Sequence, residues 1–259
     1  MASDHGGPQQ GTMPLDTSNA IVNQPLGHHE QVGSTPDDII IRTSSDTPEH
    51  ESTTGTTLSD VNVVRAMEED DADFAGRMEV ESFRSKYECA VGKNRMEECT
   101  VIRQNNYRDT DDKNCRIFIA EYKNKRAGML FLKFHGYKGR SSSTCDLYDR
   151  LGCRSTHGML WYICLENAAS IDPVECYIEC ICVDKEHRGK GIGKILMERA
   201  EQEAKAIGCS KMTLHVAQSN RAISLYQRQG YHIAKDIDGC CCVWCIVGIR
   251  KWYTMSKMI

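Results

Sequence analysis

Residues 177–194 read Tyr-Ile-Glu-Cys-Ile-Cys-Val-Asp-Lys-Glu-His-Arg-Gly-Lys-Gly-Ile-Gly-Lys. This stretch is the most informative part of the sequence about the fold. The first part, 177–183, is mostly apolar on both faces, which predicts a strand buried within a sheet. After a short charged break, the glycine-rich segment 188–193 leads directly into a helical pattern. Glycines let the backbone approach a ligand closely, and a helix N-terminus offers unpaired N–H groups to an anion. The stretch therefore predicts a pocket for a ligand that carries phosphate.

Two common phosphate-binding patterns do not fit this loop. The dinucleotide fingerprint Gly-x-Gly-x-x-Gly would need a third glycine where Lys194 stands. A P-loop needs Gly-Lys-Ser/Thr, whereas Gly191 is followed by Ile192. What remains is Arg-x-x-Gly-x-Gly after a buried strand. The alternative is that the loop is only a flexible surface turn.

Charge is distributed unevenly along the 259 residues, whose formal net charge is −4. Residues 1–60 hold nine acidic side chains against one basic side chain, a charge of −8, so the rest of the chain carries +4. A mildly basic domain suits a polyanionic cofactor. It is too weakly basic to argue for a nucleic-acid partner.

The first segment differs from the rest of the chain in composition. Residues 1–60 contain no Phe, Tyr or Trp and hold five of the six prolines. Such a segment cannot bury enough apolar surface to offset its ordering entropy, so we predict a disordered tail at 1–60 and one folded domain at 61–259. No signal-peptide pattern is visible, and the longest uncharged apolar run, 239–249, is too short to span a bilayer. We therefore expect a cytosolic or nuclear protein without a membrane partner.

Fourteen cysteines are many for such a chain. Without an export signal we expect them to be reduced. The cluster at 240–245 suggests zinc, but three consecutive cysteines do not match the separated Cys-x-x-Cys pairs of structural zinc sites. We expect small apolar packing there and no metal. The sequence leaves open whether the cluster forms a strand, a turn or a short helix.

Periodicity predicts the elements of the folded domain. The expected strands are at 61–67, 116–121, 127–134, 176–183, 212–216, 231–236 and 250–258. A first helix is expected after residue 68, and a second at 87–107 with a break near Gly92. Further helices are expected in parts of 147–165, from 192 to Gly208, and between Asn220 and Gly230. Asp238 and Gly239 are expected to form a turn.

The order β-α-α-β-β-β-α-β-α-β-β resembles the fold of the GNAT acyltransferase superfamily over about residues 61–259. The strand and glycine-rich loop at 177–194 carry the resemblance, together with 220–231, Asn-Arg-Ala-Ile-Ser-Leu-Tyr-Gln-Arg-Gln-Gly-Tyr. A weaker match is 63–72, Val-Val-Arg-Ala-Met-Glu-Glu-Asp-Asp-Ala. The resemblance implies an α/β fold with a mixed, mostly antiparallel central sheet flanked by helices.

The resemblance also implies acetyl-CoA as cosubstrate, lying between the strands at 177–183 and 212–216. The pantetheine arm would pair with the first strand, and the glycine-rich loop would hold the pyrophosphate. The implied cofactor contacts are Ile181, Cys182, Val183, Arg188, Gly189, Lys190, Gly191, Ile192, Gly193, Lys194 and Asn220.

Direct transfer of an acyl group to an amine is the implied reaction. Glu179 matches the position of a strand-four carboxylate that acts as base, and Tyr226 matches a tyrosine that protonates the leaving thiolate. The alternatives are that Glu179 only fixes a neighbouring arginine or a water, and that Tyr226 is a packing aromatic. His215 could line the same pocket. A cysteine nucleophile, Cys180 or Cys182, would give ping-pong kinetics, which the resemblance does not favour.

The leading hypothesis is an acetyl-CoA-dependent N-acetyltransferase whose acceptor is a small amine, a polyamine or a protein amine. Nothing in 70–110 or 136–175, where the resemblance places the acceptor walls, selects among them. One alternative is a GNAT-like module that binds acyl-CoA and regulates or scaffolds without catalysis. Another is a zinc- or redox-responsive cysteine-rich protein. The expected assembly is a monomer or a homodimer.

Overall fold

The structure is a computed structural model that describes residues 61–110, 112–139, 142–167, 170–239 and 241–259. The acidic segment at 1–60, for which the composition predicts disorder, lies outside the described residues. Cys240 lies outside them as well. The boundary at residue 60 therefore stays a prediction.

Seven strands form one sheet, in which all neighbours run antiparallel except β4 and β5. The strands are β1 Val61–Ala66, β2 Cys115–Tyr122, β3 Lys125–Phe134, β4 Glu175–Val183, β5 Lys211–Ala217, β6 His232–Asp238 and β7 Lys251–Met258. Their order across the sheet is β1-β2-β3-β4-β5-β7-β6, so the last strand in sequence lies between β5 and β6. This arrangement confirms the mixed, mostly antiparallel sheet.

Helices cover both faces of this sheet. They are α1 Ala72–Ser82, α2 Arg84–Val91, α3 Met96–Arg108, α4 Thr144–Asn167, α5 Ile192–Ile207, α6 Ile223–Arg228 and α7 Cys241–Val247. On one face, Phe74 of α1 and Tyr107 of α3 pack against buried residues of β2, β3 and β4. On the other face, Leu196 and Ala200 of α5 contribute to the larger core. Within the described ranges, no helix is both long enough and apolar enough to cross a membrane.

A third core lies away from the sheet, among α2, α3 and α4. Tyr87 of α2 and Met159 of α4 are fully buried in it, and the partly buried Ile246 and Val247 of α7 pack against it. A bend at Gly152, where φ is +73°, divides α4 into two helical parts. This core holds the helices that form one wall of the cavity described below.

The parallel strands β4 and β5 separate partway along their length. Their pairing runs from Glu175 opposite Lys211 to Ile178 opposite Leu214. Beyond this point β4 continues to Val183, still paired with β3, but no residue of β5 pairs with it. The two strands therefore open a V at their carboxyl ends.

A β-bulge lies at the point where the V opens. In the pairing of β3 with β4, Leu132 is opposite Ile178 and Phe131 is opposite Cys180, which leaves Glu179 as the extra residue. A bulge shifts side-chain alternation by one residue. Accordingly, Ile178 faces the core under α5, whereas Cys180 faces the core under α1 and α3. Glu179 is thus placed where the V begins to open, by local backbone geometry.

The predicted strands and main helices are confirmed with small changes in their ends, and the helix expected at 87–107 breaks at Gly92, where φ is +87°. The prediction of a turn at Asp238 and Gly239 is wrong, because β6 extends to Asp238 and α7 lies between it and β7. The amide of Gly239 does bond the carbonyl of Arg250, but the intervening chain forms α7. The apolar side of α7 packs on the third core, which favours a helix over a tight hairpin.

Candidate active site

The glycine-rich loop joins β4 to α5 at the open end of the V. A 3₁₀ turn, Lys185–His187, follows the strand, and the carboxylate of Asp184 accepts a hydrogen bond from the amide of Glu186 at 2.9 Å. Gly189 and Gly191 both have φ of +79°, a left-handed conformation that L side chains rarely adopt. Helix α5 then begins at Ile192. The N-terminal end of this helix therefore faces the cleft, as the sequence predicts for an anion site.

One cavity of about 1360 Å³ joins this loop to the interior of the V. It brings together nearly all residues predicted from the sequence. Those that line it are Glu179, Ile181, Cys182, Val183, Arg188, Gly189, Gly191, Ile192, Gly193, Lys194, Asn220 and Tyr226.

Lys190 does not line the cavity, in contrast to the other predicted loop residues. Its ammonium lies 4.4 Å from the centroid of the Tyr122 ring and 3.4 Å from Nδ1 of His187. Asn220 lines the cavity just before α6. Its side-chain oxygen accepts a hydrogen bond from the amide of Ala222 at 2.9 Å. This contact shapes the turn that precedes α6.

Tyr226 lies on α6 and is almost fully buried, yet it lines the cavity. Burial, with a smaller contribution from the Cys182 and Cys180 thiols, raises the pKa of Tyr226 well above its ordinary value. The hydroxyl therefore keeps its proton at neutral pH, as a proton donor must.

Glu179 is ion-paired inside the protein. Its Oε2 lies 2.6 Å from Nζ of Lys133, and the two side chains are 10% and 5% exposed. Lys133 comes from β3, and its ammonium also approaches the carbonyl of Glu166 at 3.4 Å. An ammonium at this distance stabilises the carboxylate form of Glu179. The sequence offered one signal for this pair, because Lys133 is the only charged residue in the apolar run 127–134.

A second buried charge group adjoins this pair. The guanidinium of Arg103 donates to Glu79 at 2.5 Å and to Glu166 at 2.7 Å. The hydroxyls of Tyr87 and Tyr107 each donate to Glu79 at 2.7 Å. Burial alone would lower the pKa of Arg103, but the charges of Glu166 and Glu79 outweigh it and hold that pKa above its ordinary value. Charged groups from α1, α3, α4, β3 and β4 are thereby fixed behind the cavity.

His215 lies on β5 across the V from β4 and lines the same cavity. Its ring centroid lies 5.3 Å from that of Tyr177, in an edge-to-face arrangement. Burial and then the charge of Lys86 lower the pKa of His215, with Glu175 opposing them. A neutral imidazole therefore faces the cavity, as one alternative reading of the sequence allowed.

The walls of the cavity beyond Glu179 come from segments whose individual contributions the sequence did not specify. They are Ser82, Phe83 and Lys86 from the junction of α1 and α2, Tyr162, Leu165 and Glu166 from α4, and Val243, Val247, Ile249 and Trp252 from the segment around α7. The regions 70–110 and 136–175 therefore line the cavity, and their role as acceptor walls stays a prediction. The contribution of α7 was missed, because the run 239–249 has no periodicity that separates a helix from a strand.

No group of three or more potential metal ligands occurs among the described residues. The described cysteines carry free thiols, and they include buried Cys180 and Cys182 at the cavity. The cluster at 240–245 is described only in part. Its backbone from Cys241 onward is helical, which answers the question that the sequence left open.

Comparison with known families places most of the folded part of the chain in one group. The model of the acetyltransferase (GNAT) family matches residues 80–231, which is more than half of the chain. A curated relative is the uncharacterized protein YdhI of Bacillus subtilis strain 168, which is 36% identical over 66 residues. That match covers 25% of this chain and spans only 40% of the length of the relative.

Solved structures with low sequence identity are also similar to this chain. The ribosomal-protein-S18-alanine N-acetyltransferase of Escherichia coli is 15% identical, with a TM-score of 0.44 and coverage of 76% of this chain and 93% of that chain. The PaiA N-acetyltransferase of Thermoplasma acidophilum, solved in complex with coenzyme A, is 16% identical. Its TM-score is 0.47, with coverage of 76% of this chain and 98% of that chain.

Proposed function

Because this chain belongs to the acetyltransferase (GNAT) family, we propose that it is an N-acetyltransferase that transfers the acetyl group of acetyl-CoA directly to an amine. One observation carries the proposal. A single cavity joins the N-terminus of α5, the unpaired edge of β4, and the side chains of Glu179 and Tyr226.

The binding of acetyl-CoA is supported by two features of the V. Beyond Ile178, the β5-facing edge of β4 has no strand partner, so its backbone groups are available to the amides of a pantetheine arm. At the mouth, backbone amides at the start of α5 and the cationic side chains of Arg188 and Lys194 suit a pyrophosphate. In acetyl-CoA the pyrophosphate lies at one end of the pantetheine arm and the acetyl thioester at the other.

Transfer then requires two proton movements. The amine nitrogen attacks the thioester carbonyl carbon, the C–N bond forms, and collapse of the tetrahedral intermediate breaks the C–S bond. The amine loses a proton toward Glu179, which Lys133 holds in the carboxylate form that can accept it. Tyr226 gives its proton to the leaving thiolate, so the products are the amide and free CoA thiol.

Binding is tested by the melting temperature of the full chain with and without acetyl-CoA. At a hundredfold excess over Kd, binding adds about 2.7 kcal/mol, a rise of roughly 5–10 °C for a domain of this size. Gly189→Asp puts a negative charge beside the pyrophosphate and should remove the rise. Gly208→Asp is the matched control, because Gly208 also has positive φ and open space but lies at the other end of α5. An equal rise in both variants would contradict the assigned cofactor site.

Tyr226→Phe tests the proposed acid. We expect turnover to fall by roughly 100-fold, because the thiolate would leave without a proton. The acetyl-CoA-induced rise in melting temperature should stay near the wild-type value, because the ring still fills its place on α6. Unchanged CoA release would remove Tyr226 from the mechanism. No release by the wild-type protein with any amine would favour the alternative, a module that binds acyl-CoA without catalysis.

Other expectations stay predictions. They are a cytosolic or nuclear location, a monomeric or homodimeric state, reduced cysteines, and the absence of metal, nucleic-acid and membrane partners. The acidic segment at 1–60 is not part of the proposed mechanism.

A further inference from the structure

The part of the cavity beyond Glu179 has a wall of distinct chemistry. Most of its side chains are apolar or aromatic, among them Phe83, Tyr162, Leu165, Val243, Val247 and Trp252. They come from the junction of α1 and α2, from α4, from α7 and from β7, so the cavity is bounded on several sides. Apolar walls stabilise a ligand that brings an apolar body, because both surfaces leave water when it binds.

The two carboxylates on this wall are already ion-paired with buried cations. Arg103 binds Glu166 at 2.7 Å, and Lys133 binds Glu179 at 2.6 Å. A polyamine carries several ammonium groups, and each one that leaves water needs a carboxylate or a set of acceptors. Within the described part of the chain, both carboxylates on this wall are paired with a buried cation, although Glu166 shares Arg103 with Glu79. The wall therefore disfavours a polycationic acceptor.

Lys86 places a further ammonium on this wall. Its side chain lines the cavity, and its ammonium lies 4.5 Å from the centroid of the Phe83 ring. No carboxylate of the described residues pairs with it, in contrast to Lys133 and Arg103 behind the same wall. Its charge reaches His215, where it contributes to the lowered pKa of the imidazole. A cation that faces an apolar cavity in this way suits an anionic group on the ligand.

We propose that the acceptor is an apolar or aromatic α-amino acid, with its carboxylate at Lys86, its side chain on the apolar wall and its amine directed to the thioester. This inference deepens the proposed function and rests on it. The reaction is the transfer already described: the α-amino nitrogen gains the acetyl group and loses a proton, and CoA leaves as the thiol. The ion-paired carboxylates of Glu166 and Glu179 and the ammonium of Lys86 together favour a molecule with a single amine and a negative charge.

The test is CoA thiol release by the full chain with saturating acetyl-CoA and a set of acceptors: phenylalanine, phenylalanine amide, leucine and spermidine. Phenylalanine amide has the same body and amine as phenylalanine but lacks the negative charge. The readout is the kcat/KM for phenylalanine divided by that for the amide, compared between the wild type and Lys86→Met. Because the ratio is compared across variants, the different basicities of the two amines cancel.

We expect Lys86→Met to lower this ratio about tenfold or more, mainly through the KM for phenylalanine. Lys86→Arg, which keeps the charge, should retain the ratio. Lys93→Met, an exposed lysine of the 3₁₀ turn Lys93–Arg95, should leave it unchanged.

Three results would overturn the inference. An unchanged ratio in Lys86→Met would show that Lys86 does not bind the carboxylate of phenylalanine. Turnover of spermidine but of neither amino acid leaves the N-acetyltransferase function standing and refutes the acceptor class. Stabilisation by acetyl-CoA without thiol release from any acceptor refutes the catalytic function itself, and the inference with it.

Discussion

Lys133→Met is expected to reduce turnover by at least 100-fold and to destabilise the fold by about 3–5 kcal/mol. Lys133 and Glu179 are both buried, and their charged atoms lie 2.6 Å apart. Without the ammonium, Glu179 would be a buried charge without its counter-ion. Such a group either takes up a proton, and then cannot accept one from the amine, or turns away toward water. The measurements are CoA release at saturating substrates and chemical unfolding.

The double variant Lys133→Met with Glu179→Gln separates the two effects. It removes both charges, so we expect it to recover much of the lost stability but none of the lost turnover. Lys211→Met is the matched control, because Lys211 pairs with Glu175 at the other end of β4, at 3.2 Å, and is 38% exposed. This change should cost no more than about 1 kcal/mol and leave turnover intact. Full activity of Lys133→Met would show that the pair has only a structural role.

Arg103→Met is expected to cause the largest loss of stability of any single change proposed for this protein, about 3–5 kcal/mol or more. Arg103 is 1% exposed and holds two carboxylates, Glu79 and Glu166. Removing it would leave both of these acids partly uncompensated behind the cavity. The hydroxyls of Tyr87 and Tyr107 would still donate to Glu79, but they carry no charge to balance it.

The control for Arg103 is on the same helix. Arg108 pairs with Asp73 at 2.7 Å, but the two side chains are 38% and 69% exposed. Arg108→Met should therefore lower the free energy of unfolding by no more than about 1 kcal/mol. Urea unfolding of both variants measures the difference. Equal losses in the two variants would mean that the buried network contributes no more to stability than a surface ion pair.

The features that could be predicted from the sequence are those that depend on short segments. The glycine-rich loop was predictable because Gly189 and Gly191 must adopt positive φ and because the loop stands between a buried strand and an amphipathic helix. The strands of the sheet and the break at Gly92 were predictable for the same reason, since periodicity and backbone freedom are properties of short segments. The loop and strand residues that line the cavity could therefore be named in advance, with Lys190 as the exception that points elsewhere.

Only the tertiary structure decided which distant residues meet. Lys133 and Glu179 come together because β3 pairs with β4 and a bulge turns Glu179 toward the end of the V. Arg103 contacts Glu166, which is 63 residues away, because α3 and α4 close over the same core. The run 239–249 became a helix because packing on that core outweighed an ambiguous local pattern. Short segments thus determined the elements and the glycine-rich loop, whereas ion pairing and the apolar wall of the cavity depend on long-range packing that no local pattern encodes.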